Sequence, residues 1–348
     1  MDHINENNFD FTTGIVYIGN RDPIHYISDL EEIITHHCDF VIHPLSEKDL
    51  DLYSKSLAEI FEVSKKAGLK IIVQPSSVGN VFDGYYVSKF VLEHKETWQV
   101  LSNSLAVPAA CMNNPEFRSY LRSWIDIVAE LGADGIAWEN PHYYNAKNET
   151  KILQWGCWCN YCKNLYLQKF QNRFPKGIGE EINLLNEYTI NDFLKELCHY
   201  SKEKQLTNII SLSPVSAKNL SMASWNQIAK IPELDIFAAK AYWYYFQGNA
   251  ESFVNGIAKK VSKLCDQHNK TSQIWIQNFK IVAGEEKHVE RAIEICIAEK
   301  IKSLVGWSFY GSRATSSMRC QNPKVVWDIL GDMFGHFVDN HVSIMCSS

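Results

Sequence analysis

The sequence predicts a single (β/α)8 TIM barrel over residues 1–348, carrying an insertion at 143–206 after its fourth strand. Three observations support this. Eight short runs rich in β-branched and aromatic residues alternate with longer segments of helical period. No Gly-rich phosphate loop follows any of these runs, which disfavours a doubly wound open sheet. No linker or low-complexity stretch cuts the chain, and 348 residues at 46% apolar content suffice for one large core.

Taken in order, the first strand is GIVYIGN (14–20) and the second DFVIHPL (39–45). SKSLAEIFEVSKKAG (54–68) then repeats apolar residues at the helical period and stops at Gly68, a residue suited to a helix C-terminus. The third strand is LKIIVQPSS (69–77). PEFRSYLRSWIDIVAELGA (115–133) starts on a proline, whose fixed φ suits a first helical turn, and closes at Gly132. ADGIAWENPH (133–142), TNIISLSPV (207–215), LDIFAAKAYW (234–243) and SQIWIQNF (272–279) are strands four to seven. GEEKHVERAIEICIAEK (284–300) puts Glu285 and Glu286 in a first helical turn, where carboxylates favour the helix dipole. SLVGWSFYG (303–311) closes the barrel.

A formal net charge of −6 gives no basic surface for nucleic acid or an anionic membrane. The first residues, MDHINENNFDFTTG, lack the apolar core of a signal peptide, and no apolar run is long enough to span a bilayer. A cytoplasmic protein is the default expectation, and a homo-oligomer is compatible with the sequence. In a reducing compartment the ten cysteines read as free thiols or metal ligands rather than disulfides.

WGCWCNYCKN (155–164) packs Cys157, Cys159 and Cys162 into six positions. A tetrahedral zinc site needs a fourth ligand, and Cys111, in the connection after strand three, is the best candidate, since neighbouring connections of a barrel can meet. Four thiolates close the coordination sphere, so this zinc is structural and has no open position for water. Three unrelated thiols, or a Cys159–Cys162 redox pair, are the competing readings. Cys38, Cys198, Cys265, Cys296, Cys320 and Cys346 read as buried or incidental thiols.

The spacing Cys111…Cys157-x-Cys159-x-x-Cys162 after a strand-four WEN resembles the zinc cluster of family 42 glycoside hydrolases, which are barrel β-galactosidases. NLYLQKF…INLLNEYTINDFL (164–194) resembles the aromatic helix that follows it. The late IWIQNFKIVAGEEKHVERAI…GWSFYGSR resembles glycosidase-like barrels. The resemblance implies a carbohydrate or glycoside as partner and a catalytic carboxylate at the end of strand four.

Barrel enzymes work at the C-terminal ends of their strands. Those ends hold Asn20, Arg21, Asp22, His43, Gln74, Glu139, Asn140, His142, Ser213, Lys240, Tyr242, Trp243, Gln277, Asn278, Trp307, Ser308 and Tyr310. Glycoside hydrolysis needs two carboxylates flanking the bond. Glu139 supplies one. In the related hydrolases the strand-four order is Asn-Glu and strand seven carries a nucleophilic Glu. This chain reads Glu139-Asn140 and has Gln277, which can neither attack nor act as a base. The second acid is then Asp22, with Glu285 and Glu286 as weaker choices. Asn140, His142, Tyr242, Trp243, Gln277, Trp307 and Tyr310 are expected to bind substrate, with the run AYWYYF (241–246) as a stacking wall. Two further readings remain: a degenerate barrel that binds carbohydrate without hydrolysing it, and a Schiff-base lyase or aldolase using Lys240, which in the first reading pairs with Glu139.

Overall fold

Eight parallel strands close on themselves in the computed structural model, which describes residues 12–147, 153–171, 174–175, 179–214, 224–245 and 249–345. They are β1 (Thr13–Val16), β2 (Phe40–Leu45), β3 (Lys70–Pro75), β4 (Gly135–Glu139), β5 (Thr207–Leu212), β6 (Ile236–Ala241), β7 (Thr271–Gln277) and β8 (Ser303–Trp307). Each pairs with its sequence neighbours, and β1 pairs with β8. All eight expected runs are barrel strands, shorter than the runs themselves because pairing stops where the chain turns outward.

The outer ring consists of α1 (Pro23–Thr35), α2 (Glu47–Lys66), α3 (Pro115–Glu130), α4 (Glu180–Glu203), α5 (Trp225–Ala229), α6 (Ala250–His268), α7 (Lys287–Ala298) and α8 (Pro323–Met345). Gly68 and Gly132 follow α2 and α3 with φ near +90°, a backbone open to glycine at little cost. Ser46 and Asp49 form a reciprocal capping box at the start of α2, and Asn114 caps α3, each cap contributing about 1 kcal/mol. The α7 start departs from expectation. Glu286 is the cap residue rather than part of the first turn, and its carboxylate accepts from Gly284 N and Asn322 Nδ2.

The segment 143–206 opens with a small antiparallel hairpin (Asn145–Lys147 with Leu153–Trp155) and a helix at Asn160–Phe170. Its last helix, α4, packs on α3 and β5 and completes the ring. No helix among the described residues is long and apolar enough to cross a membrane.

Side chains alternate along each strand, so residues two apart share a face. Val41, Val73, Ile136, Ile210 and Ile274 belong to the layer between barrel and helices, which also buries Trp124, Trp138 and Trp327. The opposite face fills the barrel with Val16, Ile42, Ile72, Ala137, Ile209, Ala238, Trp275 and Val305. Val16, Ile42, Ile72, Ile209 and Val305 each contribute roughly 1.5–3 kcal/mol when fully buried. Moving two residues further along each strand gives the next inward layer: Ile18, Pro44, Gln74, Glu139, Ser211, Lys240, Gln277 and Trp307. The filling therefore turns from apolar to polar in one step, at the C-terminal mouth.

Candidate active site

Ile18, Pro44, Gln74, Glu139, Lys240 and Trp307 of that layer line a cavity of about 420 Å³. Glu139 and Lys240 form an ion pair at its edge, Lys240 Nζ lying 2.5 Å from Glu139 Oε1, with both side chains only 6% exposed. Lys240 Nζ also donates to Asp83 Oδ2 at 2.7 Å. Gln74 Nε2 donates to Glu139 Oε2 from the next strand, while Gln74 Oε1 has no hydrogen-bond partner among the described residues. A half-turn of that amide presents its carbonyl to a protonated Glu139, so Gln74 can serve either form of the acid.

Burial pushes the Glu139 carboxyl up to about 7, because removing water disfavours its charge. Lys240 pulls the other way, and the Asp83 charge adds to the rise. Burial opposes ionisation of Asp83 as well, but there the Lys240 charge, the neighbouring His142 and hydrogen bonds from Lys240 and Asn140 win, and its carboxyl is held below its ordinary value. Burial alone lowers a lysine. Asp83 and Glu139 more than offset it and hold the Lys240 ammonium above its usual value.

The walls are aromatic. Tyr85, Tyr86, Tyr242, Tyr245, Phe279 and Trp307 line the cavity. Phe279 meets Tyr242 and Trp307 edge-on, and Tyr85 lies across Trp307 at 6.4 Å between centroids. The buried Tyr242 hydroxyl has no partner among the described residues. Of the run AYWYYF, Phe246 lies outside the described residues.

Several residues named from the sequence take other places. Asp22 is exposed and caps α1, its carboxylate accepting from Ile24 N; it does not line the cavity. Gln277 lies beneath the wall with its amide fully engaged, Oε1 accepting from Tyr244 N at 2.7 Å and Nε2 donating to the Phe279 carbonyl at 3.0 Å. It shapes the turn that carries the tyrosines. Trp243 is half-buried, edge-on to His288 and off the cavity, because the strand alternation stops at Ala241 and the chain enters a short 3-10 turn. Tyr310 lines a neighbouring hollow with Asn20, Asp29 and Arg313. His43 points outward and is buried among Tyr17, Tyr26 and Phe61, with its pKa driven down to about 3 by burial and the Arg21 charge. Asn140 and His142 stand behind Asp83, with Asn140 Nδ2 at 3.3 Å and His142 Nδ1 at 3.6 Å from its carboxylate. Asp83, which the sequence reading did not name, completes the cluster by pairing with Lys240 at the cavity.

The four cysteines do meet. The sulfurs of Cys111, Cys157, Cys159 and Cys162 all lie within 4.8 Å of one another, with Cys111 3.4 Å from Cys159 and 3.5 Å from Cys162. Tetrahedral zinc with Zn–S bonds of about 2.3 Å sets sulfurs about 3.8 Å apart, so the group fits a metal ion. Asn113 donates its backbone N–H to Cys111 Sγ and its side-chain amide to Cys162 Sγ, the outer bonds that thiolate ligands need. Cys38, Cys198, Cys265, Cys296 and Cys320 are buried free thiols away from it, and Cys346 lies outside the described residues.

A (β/α)8 barrel with an acid–lysine–acid cluster in an aromatic mouth is the class that fold and site define. No protein-family profile and no curated protein matches the sequence. Among solved structures, the chain is similar to an endo-1,4-β-mannanase from Rhizomucor miehei, with a TM-score of 0.64 and 8% identity over 94% of this chain and 95% of that one. It is also similar to the PgaB (BpsB) glycoside hydrolase domain from Bordetella bronchiseptica, at 0.60 and 11% over 92% and 99%. A third is GH5_18 from Streptomyces cattleya in complex with GlcNAc, at 0.57 and 10% over 94% and 80%. At these identities the likeness establishes a shared barrel fold.

Proposed function

We propose that this protein is a glycoside hydrolase-like enzyme acting on a sugar or glycoconjugate, with Glu139 as its acid/base. The carrying observation is a buried carboxyl at the floor of an aromatic-walled cavity, with its pKa lifted to about 7. A general acid works best with a pKa near the working pH, and tyrosine and tryptophan faces suit the apolar faces of sugar rings. A cavity of about 420 Å³ is in the range for small-molecule pockets, about 300–1,000 Å³. The sugar-acting names of the structural neighbours and the resemblance to family 42 at the cysteines support the same reading. The mechanism is non-standard for that family because strand seven offers Gln277 and no nucleophile. We assign the cysteine cluster to one structural zinc ion, held by Cys111, Cys157, Cys159 and Cys162. It braces the connection after β4 and takes no part in the chemistry.

A Schiff-base role for Lys240 needs a free amine. Two carboxylates on Nζ hold the ammonium protonated, which argues for Lys240 as a positioning group that keeps the acids in place. The binding-only reading drew on the Glu139-Asn140 order and on Gln277, whose amide is occupied by backbone groups. That placement says nothing against catalysis by other residues.

A panel of aryl glycosides tests the function. At least one member is expected to turn over. Its kcat/KM should be level below about pH 7 and fall about tenfold per unit above it, since the acid form of Glu139 is lost as pH rises through its pKa. If no glycoside turns over while sugars still raise the melting temperature, the binding-only reading replaces this one.

A further inference from the structure

We propose that Asp83 is the second carboxylate of the reaction, attacking the anomeric carbon so that configuration is retained. This rests on the glycosidase reading above.

Asp83 is not on a strand, yet it is firmly placed. It lies in the connection after β3, where Ser77 N donates to the Asp83 carbonyl and Tyr86 N donates to Ser77 Oγ. The two arms are so close that a Cβ on Gly84 would sit 2.2 Å from Ser77 Oγ. The far end of the connection is pinned by buried Glu47 of α2, whose carboxylate accepts from Ser88 Oγ at 2.6 Å and Lys89 N at 2.7 Å. On the site side, Asn140 adopts a left-handed backbone (φ 47°), its Oδ1 accepting from Ser213 N and its Nδ2 donating to Asp83.

The carboxylate has an oxygen to offer. Oδ2 takes the Lys240 bond at 2.7 Å, whereas Oδ1 has only long contacts, 3.5 Å to Asn140 and 3.6 Å to His142. The side chain is 37% exposed and lines the cavity. The spacing excludes an inverting pair. One nitrogen touches Glu139 Oε1 at 2.5 Å and Asp83 Oδ2 at 2.7 Å, so those two oxygens are at most 5.2 Å apart. Inverting pairs need about 6.5–9.5 Å to leave room for a water, whereas retaining pairs stand closer, at about 5–5.5 Å. The environments drive the two acids in opposite directions, which is how one pair supplies both an acid and an ionised partner at one pH.

In the first step a lone pair of Asp83 Oδ1 forms a bond to the anomeric carbon. The glycosidic C–O bond breaks, and its electron pair takes the proton from Glu139 as the leaving alcohol departs. In the second step Glu139, now ionised, removes a proton from water. The water oxygen bonds to the same carbon, the ester bond to Asp83 breaks, and both carboxyls return to their starting states.

The test uses the full-length protein on a glycoside it turns over. Asp83→Asn, which keeps the side-chain shape, is expected to lose at least about a thousandfold in kcat. Asp83→Ala with added azide should regain turnover and release a glycosyl azide of inverted configuration. NMR of the parent's first-formed product should show the anomer of the substrate. Asp83→Asn within tenfold of the parent, or a parent product of the opposite anomer, overturns the proposal and leaves the glycosidase reading standing. A parent that turns over no glycoside overturns both.

Discussion

Replacing Cys159 with Ser is expected to lower the melting temperature by at least about 5 °C, with activity falling only as a consequence. Serine cannot supply the thiolate that closes a four-sulfur site, and three ligands hold zinc less tightly. The cluster ties the connection after β3, through Cys111, to the connection after β4, through Cys157, Cys159 and Cys162. Glu139 stands at the start of the second of these connections, so loosening it frees one wall of the mouth while the barrel strands stay paired. Elemental analysis should find one zinc per chain in the parent and less in the variant, and a strong chelator should reproduce the thermal shift. A Cys159→Ser protein as stable as the parent yet inactive would show that the cluster does chemistry and would sink the structural assignment.

Replacing Glu139 with Gln is expected to reduce kcat by about 10²–10⁴-fold on any glycoside the parent hydrolyses, the usual contribution of a general acid. The amide has the same shape but no proton of suitable acidity. Lys240 keeps Asp83 as its partner, and Gln74 can pair with the new amide, so the fold should survive. Residual activity should also lose its fall above about pH 7, because the group responsible is gone. A variant with parental turnover removes Glu139 from the mechanism, whatever its other effects.

The barrel was legible because every strand is a compact β-branched or aromatic run. Much of the floor was legible too, since Gln74, Glu139, Lys240 and Trp307 sit in register two residues beyond an apolar inward side chain. The approach of Cys111 to Cys157, Cys159 and Cys162 was legible as well, because the connections after strands three and four are neighbours in a barrel. What failed lies off the strands. Asp22 is followed by Pro23, and that pair is a helix-start signal strong enough to explain the aspartate as a cap. Trp243 and Tyr310 follow strand ends, where the period of two no longer governs direction. Asp83 carried no signal beyond Asp83-Gly84, an ordinary turn pair. Its position depends on Glu47, Ser77 and Asn140 meeting across the fold, which is tertiary information.

Asn140 is where stability and turnover pull apart. Its left-handed backbone is one that glycine adopts more freely, yet the side chain there holds Asp83. Asn140→Gly exchanges two side-chain bonds for an easier backbone, and its melting temperature should stay within a few degrees of the parent while kcat drops. A library sorted for thermal tolerance would keep this exchange, and one sorted for hydrolysis would discard it.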